Sequence, residues 1–167
     1  MTQLELFRFP PAPQPSCRTK PKEWKVVSLR ECPAPEDMMC VNQPSGALAY
    51  WQQHIATAPH FNPDCECVAV LLLTTRLRVK GHQIVSVGML NEAMAHPREV
   101  FRVAVTGAAY GIVLMHNHPS GDVTPSEADR LITRRICEAG HILRIEVHDH
   151  VIVGHQRYFS FRESGLM

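Results

Sequence analysis

Fourteen consecutive residues, His116-Asn117-His118-Pro119-Ser120-Gly121-Asp122-Val123-Thr124-Pro125-Ser126-Glu127-Ala128-Asp129, carry the side chains best suited to chemistry. His116 and His118 stand two apart where an apolar run ends, so in an extended strand both imidazoles project from one face, within reach of one ion. Ser126 and Asp129 are three apart and share a face of a helix that starts near Pro125. Two neutral imidazoles and a carboxylate are a normal ligand set for catalytic zinc, with the fourth position left to water, whose pKa the ion draws towards neutrality. Neither half is informative alone. A His-x-His pair at a strand end usually has no metal, and Ser-x-x-Asp after a proline more often caps a helix. The joint spacing (His-x-His, seven residues, Ser, two residues, Asp) is specific.

The helix start has its own logic. Thr124 suits the N-cap, Pro125 the first helical position and Glu127 the third residue of a capping box. That assignment uses Thr124 and Glu127 structurally and leaves Ser126 and Asp129 for the site. Pro119, Gly121 and Pro125 turn the chain sharply enough to bring that helix against the two histidines.

The elements that must hold this segment can be read from periodicity. Helical spacing from Ser45 puts Leu48, Trp51 and Ile55 on one face, capped by Ser45 or Asn42. Glu66 to Thr75 is almost uniformly apolar, as a strand buried on both faces should be, and Val79 to Val87 is a second strand joined to it through Leu77-Arg78. A helix lies within Asn91 to Ala109, with Pro97 at its first position and Val100, Phe101, Val103 and Ala104 as its apolar face. Gly111 to Met115 is another buried strand that delivers His116. After the loop to Thr124, a helix from Pro125 ends near Ala139, stopped by Gly140. Strands follow at Arg144 to Val153 and Tyr158 to Phe161, and a short one is expected at Trp24 to Leu29. Strands alternating with helices give an α/β sandwich with a mixed sheet.

The spacing matches the JAMM motif of JAB/MPN-domain metalloproteins. The longer string HNHPSGDVTPSEAD resembles the RadC branch of that family, as do His96-Pro97-Arg98-Glu99-Val100, Asp149-His150 and Tyr158, over about residues 45 to 165. The resemblance implies a deaminase-like three-layer α/β fold around one zinc ion, with His116, His118 and Asp129 as ligands. It implies Ser126 as a donor to the water or to the developing oxyanion. It also implies an upstream glutamate as general acid and base, close to the start of the first central strand. Glu66, just before the apolar run Val68-Ala69-Val70-Leu71, fits that place, and an acidic residue on so apolar a strand needs a reason. Glu99, on the helix before the His116 strand, is the rival. The implied activity is that of a zinc-dependent metallopeptidase-like hydrolase with a place in DNA replication or repair. The competing reading is a non-catalytic zinc-binding module in a DNA-maintenance complex. His148 and His150, around Asp149, lack a third ligand at suitable spacing and read as core or surface histidines.

At 167 residues the chain suits one domain over 45–167, preceded by an arm over 1–40 rich in proline (Pro10, Pro11, Pro13, Pro15, Pro21). In that arm Gln3-Leu4-Glu5-Leu6-Phe7 resembles the short peptide with which bacterial polymerases and repair proteins dock on the replicative sliding clamp. There Gln3 would bond at the pocket rim while Leu4, Leu6 and Phe7 fill apolar subsites. A net charge of +1 gives no global electrostatic ground for direct binding to nucleic acid or membrane. The chain is also too short to include the helix-hairpin-helix region of longer RadC proteins. No secretory signal and no C-x-x-C pair accompany the six cysteines, so reduced thiols in a cytoplasmic protein are expected.

Overall fold

A computed structural model describes residues 38–59, 61–88 and 95–167. The expected strand at Trp24 to Leu29, most of the arm and the clamp-like Gln3, Leu4, Leu6 and Phe7 lie outside these residues. The elements run in the order α1 (Pro44–Tyr50), a π-helical turn (Trp51–Ile55), β1 (Cys67–Leu73), β2 (Val79–Val87), α2 (Pro97–Thr106), β3 (Gly111–Asn117), α3 (Glu127–Leu143), β4 (Glu146–Val153) and β5 (Tyr158–Ser160). The five strands form one mixed sheet in the order β2-β1-β3-β4-β5. Only β3 and β4 run parallel, and α3 makes the crossover between them.

Strand alternation divides the core into two layers. Cys67, Ala69, Leu71 and Leu73 of β1, Val113 and Met115 of β3, and Val151 and Val153 of β4 pack with Ala47, Tyr50, Trp51 and Ile55. On the other face Val68, Val70, Ile112 and Leu114 meet Val100, Phe101 and Ala104 of α2 and Ile132 and Ile136 of α3. The result is the three-layer α/β sandwich with a mixed sheet that the sequence implies. β3 is buried on both faces along its whole length, which is why it reads as an unbroken apolar run.

Four of the differences from expectation bear on the site or on the packing around it. The N-cap of α1 is Gln43, without a side-chain cap bond, in place of Ser45 or Asn42. β1 begins at Cys67, leaving Glu66 just ahead of the strand. α3 starts two residues later than Pro125. The N-cap is Ser126, whose hydroxyl accepts from the Asp129 N–H with Asp129 as its reciprocal partner, while the Thr124 hydroxyl donates to Asp122 Oδ1 at 2.8 Å and the Glu127 side chain is exposed. Gly140 does not stop α3, which runs on to Leu143 and ends at Arg144 in the left-handed conformation. Gly140 serves close packing instead: a Cβ there would lie 2.7 Å from the Ile145 carbonyl oxygen and 2.8 Å from Val147 Cγ2.

Candidate metal centre

His116 is on β3 two positions beyond Leu114, so alternation sends its ring to the face covered by α2 and α3. His118 is one residue past the strand, its N–H still donating to the Val153 carbonyl at 3.3 Å. The chain then turns, with the Gly121 N–H donating to the His118 carbonyl at 2.9 Å, and Gly121 takes a positive φ of 76° that other residues resist. This turn brings the Asp122 carbonyl to 2.6 Å from His118 Nδ1. A carbonyl only accepts, so Nδ1 holds the ring proton and donates it, leaving Nε2 as a lone pair.

The first turn of α3 supplies the carboxylate. Asp129 Oδ2 accepts from the Ser126 N–H at 2.7 Å and from the Ser126 hydroxyl at 2.6 Å, while the Asp129 N–H donates to Ser126 Oγ at 3.1 Å. Ser126 and Asp129 therefore belong to the capping box and to the site at once. Asp129 Oδ1 is buried with no hydrogen-bond partner, and it lies 3.2 Å from His116 Nε2. The two Nε2 atoms are 3.1 Å apart, and His118 Nε2 is 3.5 Å from Asp129 Oδ2. Ligand atoms around a tetrahedral zinc ion with bonds near 2.05 Å stand about 3.3 Å from one another. An orphaned buried carboxylate oxygen at 3.2 Å from one imidazole nitrogen, with the second imidazole nitrogen 3.1 Å from the first, fits one divalent cation. Among the described residues, this is the group of His, Cys, Asp or Glu side chains placed to hold a metal ion.

The electrostatics agree with the geometry. Burial opposes ionisation of Asp129, but the imidazoles of His116 and His118 outweigh it and hold the carboxyl well below the usual range. Asp129 in turn raises His118 against the effect of its partial burial, helped by the Asp122 carbonyl and by the charge of Glu66. The pocket between these groups favours positive charge. The side chains of His116 and Asp129 are 1% and 0% exposed and that of His118 is 13% exposed, so water reaches the cluster from the His118 side.

Glu66 and Glu99 stand in different surroundings. Glu66 lies two residues before Val68, the partner of His116, and His118 two residues after His116, so the antiparallel pairing leaves both at the same end of the β1–β3 ladder. Asn117, between the two histidines, donates from Nδ2 to the Cys65 carbonyl at 3.1 Å and accepts at Oδ1 from the Cys67 N–H at 2.9 Å. The Glu66 carbonyl accepts from the Gly88 N–H at 2.9 Å. Glu99 is in the first turn of α2, paired with Arg102 at 2.8 Å. Two further groups reach the cluster that the sequence alone does not assign to it. His116 Nδ1 lies 2.9 Å from His150 Nε2, and His150 Nδ1 lies 2.6 Å from Thr133 Oγ1. The i, i+4 spacing of Asp129 and Thr133 is a signal for the second; none in the local sequence marks the first.

Residues 41–166 match the family described as RadC-like JAB domain. A UPF0758 protein of Thermotoga maritima is 51% identical over 100 residues, 60% of this chain and 45% of that protein. A UPF0758 protein of Moorella thermoacetica is 51% identical over 104 residues, 62% of this chain and 45% of its own. One from Chlorobaculum tepidum is 45% identical over 102 residues, 61% of this chain and 46% of its own. The matched region thus spans just under half the length of these relatives. With three quarters of its residues matched, the chain belongs to the RadC-like JAB domain family.

Proposed function

We propose that this chain is a zinc-dependent hydrolase of the JAMM type that cleaves an amide bond, in the manner of a metallopeptidase, in the service of DNA replication or repair. The observation that carries the reading is the buried Asp129 carboxylate, its Oδ1 unpartnered, meeting the Nε2 atoms of His116 and His118. His116 Nε2, His118 Nε2 and Asp129 would hold the ion. Zinc bound there acts as a Lewis acid, bringing water towards ionisation near neutral pH and polarising the scissile carbonyl.

The chain's own residues do the rest. Glu66 takes a proton from the attacking water and delivers it to the leaving amine. Asn117 fixes the peptide units on both sides of Glu66, so the carboxylate is presented from a rigid corner. Ser126 holds Asp129 through both its N–H and its hydroxyl. When its hydroxyl proton turns to the developing oxyanion, the N–H still secures Oδ2. Recruitment to a sliding clamp through Gln3, Leu4, Leu6 and Phe7 is part of the same reading.

The test is a broad screen of peptide and isopeptide substrates with the zinc-loaded chain, with Glu66→Gln as control. Turnover that falls by about 10²–10⁴-fold in Glu66→Gln while zinc is retained supports the hydrolase. Stoichiometric zinc with no turnover on any amide points instead to the non-catalytic module.

A further inference from the structure

We propose that His150, backed by Thr133, is a positioning residue that locks His116 in the one tautomer able to bind the metal. The inference rests on the metal centre described above and deepens it. Thr133 is the group whose role is fixed first. The Asp129 backbone carbonyl lies 2.5 Å from Thr133 Oγ1, and since a carbonyl only accepts, the Thr133 hydroxyl proton points there. With that proton committed, Thr133 Oγ1 is an acceptor towards His150 Nδ1 at 2.6 Å, so Nδ1 carries the His150 ring proton.

A neutral His150 then offers only a lone pair at Nε2. His116 Nδ1, 2.9 Å away, must donate to it, because two lone pairs cannot share a hydrogen bond. The remaining ring nitrogen of His116, Nε2, is left unprotonated and faces His118 Nε2 and Asp129 Oδ1. The chain of hydrogen bonds runs from the backbone carbonyl of Asp129 through Thr133 and His150 to His116, whose unprotonated Nε2 then faces the carboxylate of the same Asp129 across the space for the ion. The opposite polarity would place a proton on His116 Nε2, where the metal must bind.

The framework holds this chain rigidly. His150 is 1% exposed and stacks on the ring of Phe161 with centroids 4.8 Å apart and planes 7° off parallel. β3 and β4 are parallel, with Leu114 opposite His150 and His116 opposite Ile152, which sets both imidazoles on the same face of neighbouring strands. Partners of this kind orient a ligating imidazole and raise its basicity, and their loss commonly weakens metal binding by about 10–100-fold.

Two measurements on the full chain decide the matter. Zinc affinity is obtained by chelator competition for wild type, His150→Phe, Thr133→Val and Thr133→Ser. Long-range ¹H–¹⁵N correlation on the zinc-loaded wild type reads the ring protonation directly, whatever the variants do. The expected results are one zinc per chain, binding weakened about 10–100-fold in His150→Phe and Thr133→Val, near-wild-type binding in Thr133→Ser, and Nδ1-protonated rings at both His116 and His150. Wild-type affinity in His150→Phe, or a His150 proton found on Nε2, overturns the positioning role and leaves the metal centre standing. A wild type that binds no zinc overturns both. Should His150→Phe fail to fold, the Thr133 pair and the spectra decide between these outcomes.

Discussion

Asn117 grips the backbone on both sides of Glu66: its amide accepts from the Cys67 N–H at 2.9 Å and donates to the Cys65 carbonyl at 3.1 Å. The side chain thereby extends the β1–β3 ladder one step beyond the last backbone pair and ties the proposed proton carrier to the strand that presents the ligands. Removing the clamp should loosen Glu66 without touching a ligand. Asn117→Ala is expected to keep its zinc and lose about 10–100-fold in kcat, as small misplacements of a reacting group do. Steady-state kinetics beside metal content checks this, and parallel loss of zinc would show that Asn117 supports the ligands instead.

Two buried histidines make the metal-free protein sensitive to acid. His150 is driven well below the ordinary histidine value, by burial first and by the neighbouring His116 second. His148 is lowered mainly by burial. With folded-state values depressed, the unfolded chain takes up these protons first. The stability of the neutral rings is complete above about pH 6.5 and is lost as pH falls from there towards the lowered folded values. Each group contributes about 1.4 kcal/mol per pH unit within that window. Urea titrations of chelated protein at several pH values should give a His150→Gln slope shallower by about that amount. His118, raised by Asp129, pulls the opposite way in both proteins.

Gly140 tests the fold without the site. A methyl group there collides with the Ile145 carbonyl, in the link from α3 into β4, and with Val147 near the start of β4. Gly140→Ala should cost about 1–3 kcal/mol of stability, as overpacking does, and leave zinc affinity unchanged. Thermal melts and chelator competition on the same sample separate the two quantities.

The arm can be tried on its own terms. The full chain should bind a purified bacterial sliding clamp, and Leu6→Ala combined with Phe7→Ala should abolish binding while zinc content is unaffected. Surface plasmon resonance reports both results, and no binding by the unaltered chain would end the recruitment proposal.

The ligand triad was legible because its spacing is short-range: a strand end, a tight turn and a helix start fix His116, His118 and Asp129 within fourteen residues. The α/β sandwich was legible from strands alternating with helices along the chain. The details that tertiary contacts decide were not legible. The start of α3 depended on which hydroxyl, that of Thr124 or that of Ser126, accepts from the first turn of the helix, and the passage of α3 through Gly140 depended on what packs against it. His150 meets His116 from 34 residues away, through a parallel register with a bulge after Ile112, which no local pattern encodes. Asn117 reaches back 50 residues to Cys67 in the same way.

The most direct trial is metal analysis of the chain reconstituted with zinc and dialysed, beside Asp129→Asn and His118→Ala. One zinc per wild-type chain and little or none in either variant is the result expected from two imidazoles and a buried carboxylate oxygen closing on a single ion. A wild type that emerges without zinc, or variants that retain it in full, would contradict the account at its root.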